Sequence, residues 1–214
     1  METPDLARMR EEYARTGLDE SAAGDDPMVL FGRWLDDALV AQLHEPNAMA
    51  LATATPDGRP SVRIVLLKGL DRQGLTFFTG YESRKGFELA ENPRAAATML
   101  WHPLQRQVRV EGTVTLLDDA ESDAYFASRP RGSQIGAVAS PQSRPIAGRD
   151  VLDERVAEVE RRFAGRDVER PSVWGGYRVA IESIEFWQGR LDRLHDRIRF
   201  TEVPGGWVRE RLAP

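Results

Sequence analysis

The stretch "NAMALATATPDGRPSVRIVLLKGLDRQGLTFFTG", Asn47–Gly80, decides the fold class. Its apolar residues do not recur at helical spacing, and it is cut by two turn signals, "PDGR" and "DRQG". In the first, proline presets φ and Asp-Gly tolerates a chain reversal. The segments between them, "AMALATAT", "PSVRIVLLKGL" and "LTFFTG", read as three strands of a β-meander.

Working outward, the segment before it is helical. "DPMVLFGRWLDDALVAQLHE" offers Asp26 as N-cap and Pro27 in the first turn, and Leu30, Trp34, Leu35, Ala38, Leu39 and Leu43 share one face. The spacing predicts a helix over 27–44. Residues 5–15 suit a short charged helix, and "GLDESAAGDD" reads as a flexible connection. Residues 1–26 are therefore expected to form a lid helix with its connection, and 27–214 the main domain.

After the meander, "SRKGFELAENP" reads as a helix capped by Ser83 and stopped before Pro93. "AAATMLW" and "RQVRVEGTVTLL" are two further strands. "DDAESDAYFASRP" and "SQIGAVAS" suggest short helices, and "DVLDERVAEVERRFAG" a longer one. After "WGGY" come the strand "RVAIESIEFWQG" and a hairpin, "RIRFTEV" and "WVRERL" about "PGG". An antiparallel sheet of six to eight strands, curled into a barrel with helices outside, is the expected architecture: mainly β.

Composition limits the chemistry. A net charge of −5 argues against a general nucleic-acid or anionic-membrane surface, so an anion site must be a local gathering of cations. The absence of cysteine excludes disulfides, thiolate metal sites and thiol nucleophiles. His44, His102 and His195 are far apart in sequence, and no metal centre is expected. "METPDLARMREEYARTG" has no apolar signal core and no segment approaches a membrane span, so a cytoplasmic protein with no membrane partner is expected.

Three groups concentrate positive charge. Of 29 basic residues only Lys68 and Lys85 are lysines. Lys68 ends the apolar run of "RIVLLK"; by itself it suits a strand-end lysine with its stem on apolar surface. Ser83, Arg84 and Lys85 open a helix, either as a simple cap or as a phosphate seat on free N–H groups. Arg63 and Lys68 are an odd number of residues apart, so a regular strand sends them to opposite faces, toward two anions unless a bulge intervenes.

In "YFASRPRGS", Tyr125 and Arg129 are four apart on a helix and Ser133 follows the proline break. Phenol, guanidinium and hydroxyl suit a phosphate monoester, or simply a helix C-terminus with cations facing its dipole. In "IEFWQGRLDRLHDR", Arg193, His195 and Arg197 alternate, so an extended segment presents all three on one face. Such a group repels itself without an anion or electron-rich ligand. Trp187 and Gln188 add an aromatic surface and an amide.

These blocks, with "RQVRVEG", "SRPRGSQIGA", "PQS" and "WGGYRV" in the same order, closely resemble the pyridoxine (pyridoxamine) 5′-phosphate oxidases from about Arg8 to the terminal "RLAP". The resemblance implies an FMN-binding split β-barrel and a homodimer with flavin at the interface. It also implies oxidation of pyridoxine and pyridoxamine 5′-phosphates to pyridoxal 5′-phosphate, with O2 giving H2O2 and the amine releasing NH3. Arg63, Ile64, Val65, Leu66, Leu67 and Lys68 would line FMN with Phe78, Thr79, Arg84, Lys85, Gln107, Gln142, Ser143, Trp187 and Arg197. Lys68, Tyr125, Arg129 and Ser133 would hold the substrate phosphate. Arg193, Leu194 and His195 would lie by the pyridine ring, with Arg193 and His195 as the catalytic pair. Arg10, Glu11, Glu12 and Tyr13 would form part of a lid.

The sequence departs from the family pattern in "QIGAVAS", which lacks a tryptophan after the alanine, and at Arg144, where a small polar residue is usual. Two competing readings are a related flavin oxidase or reductase acting on a phenazine-type ring and a non-catalytic FMN or pyridoxal-phosphate carrier.

Overall fold

The computed structural model describes residues 17–214. The expected helix over 5–15 and the residues Arg10, Glu11, Glu12 and Tyr13 lie outside them. The chain divides into two compact units. One comprises residues up to Asn47 with Thr98–Val110 and Glu182–Pro214; the other comprises Ala48–Ala97 and Glu111–Ile181.

The second unit begins with the hairpin of β1 (Ala48–Ala54) and β2 (Pro60–Leu66), antiparallel with Ala48 opposite Leu66. Its turn needs Gly58, whose φ is 84°, a left-handed conformation that costs glycine little. A second hairpin joins β3 (Gly69–Asp71) to β4 (Gly74–Gly80). Gly74, at φ 128°, packs so closely on the Val179 carbonyl that a Cβ would collide with it. β4 then pairs with β7 (Trp174–Gln188), with Phe77 opposite Tyr177 and their rings stacked at 5.4 Å.

"PSVRIVLLKGL" is therefore not one strand and the segment is not a meander. The strand order is β2-β1-β5-β6-β7-β4-β3, with β5 (Arg94–Trp101) and β6 (Arg106–Leu116) at its centre. The two hairpins stand at opposite ends of that order, joined only by Leu67 and Lys68. Three Cα steps reach at most about 11 Å, whereas seven flat strands would span about 29 Å. The sheet must curl until its ends meet, and the Lys68 N–H bonds to the Thr76 carbonyl at 2.8 Å, on β4.

The same break raises the strand count among the described residues to nine. The apolar stretch "VRIVLLK", Val62–Lys68, is only partly buried. Val62 and Ile64 are 68% and 65% exposed, while Arg63 on the opposite face is half-buried.

Four helices belong to this unit. α3 (Arg84–Glu91) is capped by Ser83, whose Oγ accepts from the Gly86 N–H. α4 (Asp119–Ser128) is capped by Asp118, and α5 (Arg131–Ala139) follows at once. α6 (Arg149–Arg162) has no fully buried residue and contributes only Val156 and Val159 to the cluster of Phe126, Ile135, Phe163, Val168 and Trp174.

In the first unit, α1 (Glu20–Ala23) forms where a flexible connection was expected, because Asp19 caps it through the Ala22 N–H at 2.7 Å. α2 (Pro27–Val40) ends earlier than residue 44. Gln42 turns left-handed at φ 53°, and the Leu43 N–H bonds back to the Ala38 carbonyl at 3.1 Å. Its inner face meets the sheet through Trp34, edge-on to Phe186 at 5.3 Å. β8 (Asp196–Val203) and β9 (Gly206–Leu212) form the closing hairpin, and β8 pairs with the end of β7. The strand β7 itself starts at Trp174, so "WGGY" lies within it.

Candidate active site

In the second unit, β2 and α3 assemble a compact ionic cluster. Ser83 places its Oγ at the start of α3, and the buried Lys85 ammonium donates to it at 2.9 Å. Arg63 reaches inward from β2, donating to the Leu51 carbonyl at 3.1 Å, to Thr53 Oγ1 at 2.7 Å and to Ser61 Oγ. The centre is Glu88, which sequence reading missed. It accepts from Ser61 at 2.5 Å, from Thr53, and from Arg84 Nε at 2.9 Å, and lies 3.4 Å from Arg63 Nη2. The available signal was its i,i+4 spacing from Arg84.

The electrostatics follow from that packing. Burial alone would raise the Glu88 pKa, but hydrogen bonds from Ser61, Thr53 and Arg84 outweigh it and hold the carboxyl at about 2. Burial, then repulsion from Arg63, lowers Lys85 to about 8, with Glu88 opposing. Three cations thus share one carboxylate. The surplus is two positive charges, the complement of a phosphate monoester dianion.

A second cluster lies elsewhere in this unit, and Arg63 and Lys68 stand in different clusters because β2 ends at Leu66 and Lys68 falls in the break after it. Phe78 stacks on Tyr125 at 3.8 Å, and both rings run nearly parallel to Trp174, at 5.8 and 6.2 Å. The Lys68 ammonium, exposed, stands 6.0 Å from the Tyr125 ring centre. Arg129 does not share a helix face with Tyr125; α4 ends at Ser128 and Arg129 is its extended C-cap. From there its guanidinium lies 4.6 Å over Trp174, and Nη1 is buried without a hydrogen-bond partner. Arg129, Ser133, Trp174, Ser83 and Gln142 line a cavity of about 610 Å3. The Gln142 side-chain oxygen Oε1 accepts from Thr79 Oγ1 at 3.0 Å and from the Gly80 N–H at 2.9 Å, and Ser143 beside it is left-handed at φ 69°.

In the first unit, the "GRLDRLHDR" segment is not extended. Asp192 and Arg193 have φ of 54° and 61° in a short 3-10 turn, Leu191–Arg193, so Arg193, His195 and Arg197 do not form one alternating face. Arg193 and Leu194 are exposed. His195 lies against Trp187 at 4.5 Å, and its Nδ1 accepts from the Arg190 N–H at 3.1 Å. The neutral ring therefore carries its proton on Nε2. Burial, then Arg193, lowers its pKa, with Asp196 opposing.

Arg197 is paired instead with Glu185, at 2.8 and 3.1 Å, and these bonds raise its pKa. Sequence reading missed Glu185 here and set the Gln188 amide beside the cationic group. The Gln188 amide donates to the Leu104 and Gln105 carbonyls and accepts from Arg106 at 2.9 Å, so it serves the fold. Gln107 is half-buried on β6. Among the described residues no helix is long and apolar enough to cross a membrane, and no cluster of His, Asp or Glu is arranged to hold a metal.

Strand order and flanking helices define an antiparallel split-barrel protein. The same fold occurs in a pyridoxamine 5′-phosphate oxidase-related, FMN binding protein of Nostoc punctiforme, with a TM-score of 0.67 at 18% identity, covering 85% of this chain and 96% of that one. The family model described as Pyridoxamine 5′-phosphate oxidase matches residues 35–163, and the one described as Pyridoxine 5′-phosphate oxidase C-terminal dimerisation region matches 174–214. This chain belongs to the pyridoxamine 5′-phosphate oxidase family.

It is 59% identical over 210 residues to the pyridoxine/pyridoxamine 5′-phosphate oxidase of Rubrobacter xylanophilus, covering 98% of this chain and 97% of that one. To the Pseudomonas paraeruginosa protein of the same name it is 56% identical, covering 99% and 100%. PhzG from Burkholderia lata, solved in complex with tetrahydrophenazine-1-carboxylic acid, superposes with a TM-score of 0.86 at 34% identity, over 91% of this chain and 95% of that one.

Proposed function

We propose that this chain binds FMN and oxidises pyridoxine 5′-phosphate and pyridoxamine 5′-phosphate to pyridoxal 5′-phosphate. The observation that carries this reading is the 59% identity with a pyridoxine/pyridoxamine 5′-phosphate oxidase across nearly the whole of both chains. Two features of the structure support it: the surplus charge at Arg63, Arg84 and Lys85, and the unpartnered Nη1 of Arg129 over Trp174.

FMN fits the first cluster. Arg63, Arg84 and Lys85 with the Ser83 N-cap would hold its phosphate, and Phe78, Thr79, Gln142, Ser143 and the segment from Ile64 to Leu67 would contact the rest. When bound, FMN would supply two-electron oxidation of the substrate, with O2 as the final acceptor and H2O2 as its product. Alcohol oxidation releases nothing further; amine oxidation consumes water and releases NH3.

The protein's own contribution is position and charge. Arg129, Lys68, Tyr125 and Ser133 bind the substrate phosphate, where a compact ammonium and a guanidinium with an open donor approach it from two sides. Fixing one end of the substrate lowers the entropic part of the barrier. Arg193 orients the reacting group, and His195, with its proton on Nε2, donates a hydrogen bond to the substrate rather than accepting a proton there.

A homodimer is part of this reading, supported by the match to a dimerisation region and by the apolar side chains of Val62, Ile64 and Leu116 exposed on the second unit. A phenazine-type substrate is the competing case, favoured by the likeness to PhzG. Oxygen consumption by the FMN-loaded protein separates them: both phosphorylated vitamers should drive it. Turnover of a phenazine precursor without turnover of either vitamer would reverse the assignment.

A further inference from the structure

We propose that Asp196 is a positioning residue that closes the 189–195 loop and ties its conformation to the chain entering α1. The proposal rests on the reading of Arg193 and His195 as substrate groups. Gln188 and Asp196 form the last register pair between β7 and β8, so Asp196 stands at the base of that loop. Within the loop, Asp192 and Arg193 adopt left-handed φ, which L-residues disfavour, so something must hold the turn.

The Asp196 carboxylate supplies the hold. Its Oδ2 accepts from the Leu18 N–H at 2.9 Å and lies 3.5 Å from Arg190 Nη1, across the loop. Its Oδ1 accepts from Arg211 Nη1 at 2.8 Å. Arg211 in turn forks onto Glu20 at 2.7 and 3.0 Å and bonds the Leu18 carbonyl at 3.1 Å. Gly17 packs directly over the pair, and a Cβ there would run into the Arg190 guanidinium and Asp196 Oδ2.

The loop is thus closed twice: Arg190 reaches Asp196 through its side chain and His195 Nδ1 through its N–H. Losing the carboxylate frees Arg190 and Leu18 together. The left-handed turn at Asp192 and Arg193 can then relax, moving the Arg193 side chain and the imidazole. The cluster around Lys85 contains none of these residues, so the seat proposed for the FMN phosphate is unchanged.

The test compares FMN-loaded wild type, Asp196→Asn and Arg190→Gln. It reads steady-state oxidation of pyridoxine 5′-phosphate and the imidazole 15N resonances of His195. In Asp196→Asn, kcat/KM should fall about tenfold and in Arg190→Gln about threefold, with FMN affinity within about twofold of wild type. The single Nε2–H tautomer of His195 should become a mixture. A folded Asp196→Asn protein with wild-type kcat/KM and wild-type resonances overturns the proposal. If Asp196→Asn does not fold, the same two readouts on Arg190→Gln decide. A wild type that turns over neither vitamer fails the functional reading instead, and the resonances alone then decide the role of Asp196.

Discussion

The guanidinium of Arg129 lies 4.6 Å over the ring of Trp174 with Nη1 buried and unbonded. Burial lowers its pKa, with only Tyr125 opposing, so the folded protein carries a desolvated charge without compensation.

That arrangement sets the first prediction. Arg129→Met should lower kcat/KM for pyridoxine 5′-phosphate by about a hundredfold, leave FMN affinity unchanged, and leave thermal stability equal or higher, since a buried polar atom without a partner disappears. Steady-state kinetics and a melting curve of the same sample check it. A destabilised protein with unchanged kinetics would make Arg129 structural.

Lys85 gives a pH dependence for the cofactor. Its pKa in the empty cluster is about 8, and a bound phosphate dianion raises it, so binding takes up a proton above pH 8. FMN affinity should be flat below pH 8 and weaken above it, by up to about tenfold per pH unit. Lys85→Arg keeps its charge and should flatten the profile. Fluorescence titration of apoprotein with FMN from pH 7 to 9 measures both.

Glu88 sets an acid limit on stability. Its folded pKa of about 2 lies below the ordinary glutamate value, so its contribution is full above that value and is lost as pH falls toward 2. Glu88→Gln should be less stable than wild type at pH 7, and the difference should shrink as the pH is lowered. Urea denaturation across that range reads the effect; a difference independent of pH would contradict it.

Glu185 is buried and compensates Arg197, with Arg109 at 3.4 Å. Glu185→Ala should destabilise the protein by about 2 kcal/mol, the loss of charge-assisted hydrogen bonds to the half-buried Arg197 guanidinium. Thermal unfolding of the apoprotein separates that from any effect on flavin binding.

Local signals in the sequence located most elements, because caps and turns act over a few residues: Ser83, Asp26–Pro27 and Asp57–Gly58 each mark a real boundary. What they could not show was the break at Leu67–Lys68. Nothing within that stretch distinguishes one long strand from two strands at opposite ends of a curled sheet, since the difference lies in pairing with β1 and β7. Period-two counting assumes a regular strand, which ends at Leu66 before Lys68 and is removed at Arg193 by left-handed residues. The buried carboxylate Glu185 was invisible for a related reason, since its arginines come from other strands, and Glu88 showed only its i,i+4 spacing from Arg84 and not Arg63 on β2.

The most direct test of the proposed chemistry is anaerobic addition of pyridoxine 5′-phosphate to the FMN-loaded protein. Bleaching of the flavin absorbance, with one pyridoxal 5′-phosphate formed per flavin and the colour restored by O2, is the result expected. A flavin that stays yellow with excess phosphorylated vitamer, in a protein that holds FMN tightly, would contradict the assignment.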